Sequence, residues 1–143
     1  MKVTKLLLLN KFDEYNVLYF DSKLDSCQFS FTGKNNSAYG TYRRWKAADG
    51  KEKSRISIGR CIIWNEENLR EILVHEMIHM YVETVEKKHY DGLFGHGWRF
   101  RRKCRRILRE HSLRVRVHPH FKRIDKSLEP KWWDTALTYL LDW

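Results

Sequence analysis

Apolar residues recur along the first twenty positions at Leu6, Leu9, Phe12, Tyr15, Tyr19 and Phe20. That three-to-four spacing predicts a helix with one buried face over residues 4–20. The turn signal Asp21-Ser22 follows, and the period then changes to two. Residues 27–31, 38–42 and 55–59 alternate apolar and polar side chains between Gly, Asn, Asp or Ser boundaries. They predict three short strands in a small antiparallel or mixed sheet with one wet face. Helical spacing returns at Leu69, Ile72, Leu73, Met77 and Tyr81. Asn65 stands where an N-cap belongs, Glu66 and Glu67 fill the first turn, and Lys87 and Lys88 lie at the far end, so this helix is predicted to reach about residue 86. A polar loop over 90–97 leads into a further helix over 98–111, whose core side is Phe100, Cys104, Ile107 and Leu108. A strand over 114–117 and a Pro130-initiated segment carrying Trp132, Trp133, Tyr139 and Trp143 complete the pattern. Without an internal repeat or linker, the order αβββααβα predicts a single α+β domain over residues 1–143.

Composition narrows the class. With 143 residues, 42% hydrophobic, 32% charged and only two prolines, the chain is neither disordered, collagen-like nor a disulfide miniprotein. The longest apolar run, residues 6–9, is far short of the roughly 20 residues of a membrane span. It is not followed by a small-residue cleavage site, so neither a membrane partner nor a secretory signal is expected. Cys27, Cys61 and Cys104 include no CxxC pair, which argues against a disulfide framework or a zinc ribbon and for a reducing, cytoplasmic setting.

Candidate chemistry concentrates in His75-Glu76-Met77-Ile78-His79, an H-E-x-x-H inside the strongest predicted helix. Residues four apart lie about 6 Å apart along the axis on nearly the same side, so two imidazoles can aim nitrogens at one ion. Glu76, one step round the helix, is then placed to take a proton from an attacking water. Two surface histidines flanking a glutamate would read the same way by chance. The apolar neighbours Leu73, Val74, Met77 and Ile78 instead bury this helix, where unpaired imidazoles and a carboxylate would be costly. His96, between Gly95 and Gly97, is the candidate third ligand, with His89 and Asp91 in the same loop as alternatives. A third histidine at metzincin spacing is excluded, because Val82 and Val85 occupy the positions that would need Gly and His.

The run Leu73-Val74-His75-Glu76-Met77-Ile78-His79, then Asp91-Gly92 and Gly95-His96-Gly97-Trp98-Arg99-Phe100, resembles the SprT-like family, which includes metalloproteases of DNA-crosslinked proteins. The upstream stretch 15–24, Gly40-Thr41-Tyr42 and Ile56-Ser57-Ile58 are similar to its first helix and later strands. The resemblance implies a zincin-like fold with a core over 10–112 and a C-terminal extension over 113–143. It also implies one Zn²⁺ held by His75, His79 and His96, with Glu76 as the catalytic base and Phe100 as packing. A second oxyanion donor is sought among Tyr39, Tyr42 and His118, and the strand over 55–59 is expected to pair with substrate at its edge.

The net charge of +10 is confined to residues 99–126, which hold twelve Lys or Arg against two acids. Arg99, Arg101, Arg102, Lys103, Arg105, Arg106 and Arg109 form the predicted outer face of the last helix, a solvated surface or a phosphate-binding one. With Trp98 and Tyr90 nearby to stack on bases, single-stranded or damaged DNA is the expected partner beside a protein substrate. Location would then be cytoplasmic, at the nucleoid in a bacterium. His118 and His120 read as incidental rather than as a second metal site. The competing class is a nucleic-acid-binding module with a structural, catalytically silent zinc. Glu76 separates the two, because only hydrolysis needs that carboxylate.

Overall fold

The computed structural model describes residues 1–33, 38–60 and 62–124. Cys61 and the aromatic segment 130–143 lie outside the described residues. The first helix, α1 (Lys5–Phe20), starts where the Thr4 hydroxyl accepts the Leu7 N–H at 3.1 Å and stops at Asp21, whose backbone is left-handed. The Asn16 amide then exchanges two hydrogen bonds with the backbone of Leu24, fixing the turn toward the sheet. The buried stripe is Leu8, Phe12, Tyr15 and Phe20. The predicted Leu6 and Leu9 are instead 66% and 43% exposed. Four consecutive leucines allow more than one helical phase, and packing selects the phase that Leu8 and Phe12 share.

Strands β1 (Gln28–Phe31), β2 (Gly40–Lys46) and β3 (Glu52–Ile58) form a mixed sheet in the order β1-β3-β2. β1 runs parallel to β3, while β2 and β3 make an antiparallel hairpin. The hairpin is longer than its alternation predicts, extending β2 to Lys46 and β3 back to Glu52. Its outer rungs, Lys46 opposite Glu52 and Trp45 opposite Lys53, break the alternation of apolar and polar positions. Gly50, with φ of 85°, closes the turn. β3 is the central strand, so the predicted pairing of substrate with its edge is ruled out: both of its sides already carry ladders.

The helix α2 (Glu66–Thr84) begins at Asn65, whose side chain accepts the Asn68 N–H at 2.8 Å, and ends two residues short of the predicted limit. It lies against β2 and β3 and also packs on α1 and α3, so it is buried nearly all round. Its Leu69, Ile72, Leu73, Met77 and Ile78 belong to the same buried core as Ile56 and Ile58. The last helix, α3 (Trp98–His111), has its predicted bounds but a rotated face: Phe100, Lys103, Cys104 and Ile107 are buried, and Leu108 is 46% exposed.

Residues 114–117 form no strand. They cross α2 as a strap held by Arg116, and an antiparallel bridge between Ile62 and Arg123 lies further on. The described residues are thus a small α+β arrangement of three helices and a three-stranded mixed sheet. Among them, no helix is long and apolar enough to cross a membrane.

Candidate metal centre

Helical geometry sets His75 and His79 one turn apart on α2, facing the loop before α3. That loop is tied down by Asp91, which is buried. Its carbonyl accepts the Gly97 N–H at 2.6 Å, while its carboxylate accepts the Phe100 N–H at 2.8 Å and the Arg99 N–H at 3.3 Å. Gly97 occupies the N-cap of α3 and has no side chain to cap with, so Asp91 supplies the missing acceptor from six residues upstream. A methyl group at Gly97 would stand 2.6 Å from the Asp91 carboxylate. Asp91 is therefore engaged in building the loop, and it does not join the cluster of candidate metal ligands among the described residues. His89, the other alternative, is exposed at the cleft rim and bonded to Arg44.

The loop delivers His96 to the helix. Its Nε2 stands 3.1 Å from that of His79 and 3.2 Å from that of His75. Three nitrogens at Zn–N distances of 2.0–2.1 Å in a tetrahedral arrangement would be ~3.3–3.4 Å apart. His75 Nδ1 faces the Arg116 carbonyl at 3.0 Å, and a carbonyl only accepts, so the proton is on Nδ1 and the Nε2 lone pair points inward. Burial pushes His75 down to about 3 and His96 to about 4, and holds His79 well below the ordinary histidine value. All three imidazoles are neutral at pH 7, the form that ligates a cation. His75, His79 and His96 could thus hold a metal ion. Beneath them lies the fully buried Phe100, its ring centroid 4.6–4.9 Å from each imidazole.

An open cleft of about 450 Å³ exposes this cluster between β2 residues Gly40 to Tyr42 and the loop residue Phe94. Glu76 lines it beside the histidines and packs against Gly40, where a Cβ would lie 3.1 Å from its carboxylate. Burial raises the Glu76 carboxyl to about 8, whereas a nearby dication acts in the opposite direction.

The three oxyanion candidates separate. The Tyr39 hydroxyl pairs with His120 at 3.0 Å and that of Tyr42 with Ser54 at 3.1 Å. Tyr42 lines the same cleft as the histidines, and the His118 ring stands behind, its centroid 5.7 Å from that of His96. His118 and His120 diverge to different neighbours.

The basic face is less uniform than its sequence. Arg99 and Arg102 both bond Glu86, at 3.0 and 3.1 Å, and both stack on Trp98. Arg106 pairs with Glu110, and Arg101 donates to the His96 carbonyl. Lys103 does not belong to the outer face: it is buried, its ammonium 4.4 Å from the Tyr81 ring centroid and 5.2 Å from that of Phe20. Arg105 and Arg109 alone of the seven remain exposed without a carboxylate partner among the described residues.

Sequence reasoning missed the cap made by Asp91 and the contact of Arg116 with α2. A glycine at a helix N-cap is the signal that points to the former. For the latter there is no local signal, since the partners are 41 and 45 residues apart. The sequence model of the SprT-like family matches residues 8–122. No curated protein matches the chain.

Proposed function

The chain belongs to the SprT-like family, and from that premise we propose that it is a zinc-dependent metallopeptidase of zincin-like fold that hydrolyses DNA-associated proteins. The observation that carries this reading is the convergence of three neutral imidazoles on one point at the floor of an open cleft, with a carboxylate beside them. A closed structural zinc site takes four protein ligands, and only three candidate ligands cluster among the described residues.

His75, His79 and His96 would hold the ion. Zinc there supplies Lewis-acid polarisation of a carbonyl and lowers the pKa of water toward about 7. Glu76 accepts the proton of the attacking water on a carboxylate oxygen and passes it to the departing amine nitrogen as the peptide bond breaks. Tyr42, which lines the cleft, and His118, beside His96, are the candidates for the second oxyanion donor. An extended substrate would add to the outer edge of β2, the strand whose Gly40, Thr41 and Tyr42 line the cleft. Main-chain pairing reads little side-chain identity, so sequence preference should be weak.

The concentration of positive charge within residues 99–126 supports DNA as the scaffold on which substrates are met. The test is cleavage of a DNA-bound protein by wild type and Glu76→Gln, with and without DNA and chelator. Cleavage is expected only from wild type, stimulated by DNA and abolished by chelation. Equal cleavage by both forms would remove Glu76 from the mechanism, and binding without any cleavage would favour the silent-zinc module.

A further inference from the structure

The strap over residues 114–117 has no ladder to hold it, yet through Arg116 it touches His75 of the histidine cluster directly. Glu71 lies on α2 one turn before His75 and is buried. Its carboxylate takes three hydrogen bonds from a single residue, Arg116. The backbone N–H and Nε both donate to Oε2 at 2.9 Å, and a guanidinium NH2 donates to Oε1 at 2.9 Å. The carbonyl of the same residue accepts the Nδ1 proton of His75 at 3.0 Å. Glu71 therefore grips the main chain of Arg116 as well as its side chain, and one Cα separates the gripped N–H from the working carbonyl.

We propose that Glu71 is the positioning residue of the metal centre, acting through the Arg116 carbonyl to fix the tautomer and ring orientation of His75. The carbonyl plays the part that a carboxylate or carbonyl takes behind metal-bound histidines, where such partners set which nitrogen faces the ion. The Arg116 guanidinium, 5.6 Å from the Phe121 ring centroid, helps to hold the strap in place. As an ion pair the contact adds little to stability, because the Arg116 side chain is 42% exposed. Its distinguishing effect falls on the ligand. The inference rests on the metallopeptidase reading only in treating the His75 lone pair as a ligand; the tautomer is independent of it.

The test uses the full chain in two measurements. Long-range ¹H–¹⁵N correlation of metal-free protein at pH 7.5 is expected to show His75 as the Nδ1–H tautomer in wild type and as a mixture in Glu71→Ala. Titration with Zn²⁺ against a competing chelator is expected to show affinity reduced about 10–100-fold in Glu71→Ala. Glu71→Gln keeps an oxygen for the Arg116 N–H and should recover most of the loss. Should Glu71→Ala not fold, the wild-type tautomer and the Gln variant decide. An Nε2–H tautomer in wild type, or zinc binding by folded Glu71→Ala equal to wild type, would overturn the proposal. If wild type binds no zinc, the metallopeptidase reading falls, and the tautomer measurement still decides the relay.

Discussion

Gly95 is the position at which a single methyl group should act on a ligand without touching the metal. Its φ is +75°, and a Cβ there would lie 3.0 Å from Nδ1 and 3.1 Å from Cε1 of His79. Two costs follow, and they are separable. A left-handed backbone costs an alanine roughly 1–2 kcal/mol, which lowers the Tm of the metal-free protein by roughly 3–10 °C at this chain length. The contact requires the His79 ring to give by a few tenths of an ångström, more than the tolerance of about 0.2 Å on metal–ligand distances. An affinity loss of about tenfold, or 1.4 kcal/mol, is the expected consequence. Gly95→Asn separates the terms, because asparagine tolerates the left-handed conformation yet brings the same Cβ. Thermal melts of metal-free protein and chelator-competed Zn²⁺ titrations of Gly95→Ala and Gly95→Asn supply both readouts. Asn should recover the stability and not the affinity. Recovery of both would refute the contact with His79, and an alanine variant as stable and tight as wild type would refute both terms.

Phe100→Ala should cost about 3–5 kcal/mol of stability, measured by urea unfolding, and weaken zinc binding as well, since the ring underlies all three imidazoles. Zinc affinity unchanged in a folded variant would dismiss Phe100 as a support for the ligands. Arg105→Ser with Arg109→Ser should reduce DNA affinity and its salt slope more than Arg99→Ser with Arg102→Ser, because the latter pair is already bound to Glu86. Equal effects in a salt-dependent binding titration would contradict that ranking. Glu76 is raised by burial from 4.5 to about 8, so the unfolded chain ionises first. This carboxyl's own contribution to metal-free stability is lost as pH rises from 4.5 to 8, opposite in sign to that of the three depressed histidines. Glu76→Gln should therefore be more stable than wild type at pH 8, with the advantage gone by pH 4.5. Denaturation midpoints that stay parallel across this range would show that the carboxyl is not perturbed.

The candidate histidine cluster was legible because its signals are local. His75 and His79 are brought together by helical spacing alone, and His96 is marked by its glycines. The two glycines serve different neighbours, which their sequence could not tell: Gly95 yields space to His79, whereas Gly97 yields it to Asp91. The bounds of α3 and the Asn65 cap were equally readable, since capping and periodicity involve residues within a few positions of one another. The parallel pairing of β1 with β3 was not, and neither was the edge position of β2, because alternation says which face is buried and nothing about which strand is the neighbour. Nor could charge content reveal that Lys103 turns inward or that Glu86 engages two of the arginines.

What the sequence determined by itself was the donor chemistry and the helices that present it. Only the tertiary structure decided which strand edge borders the cleft, what Asp91 does and which atom lies behind His75. Helical spacing is a property of the local backbone. The approach of Arg116 to a helix more than forty residues earlier depends on how the whole core closes.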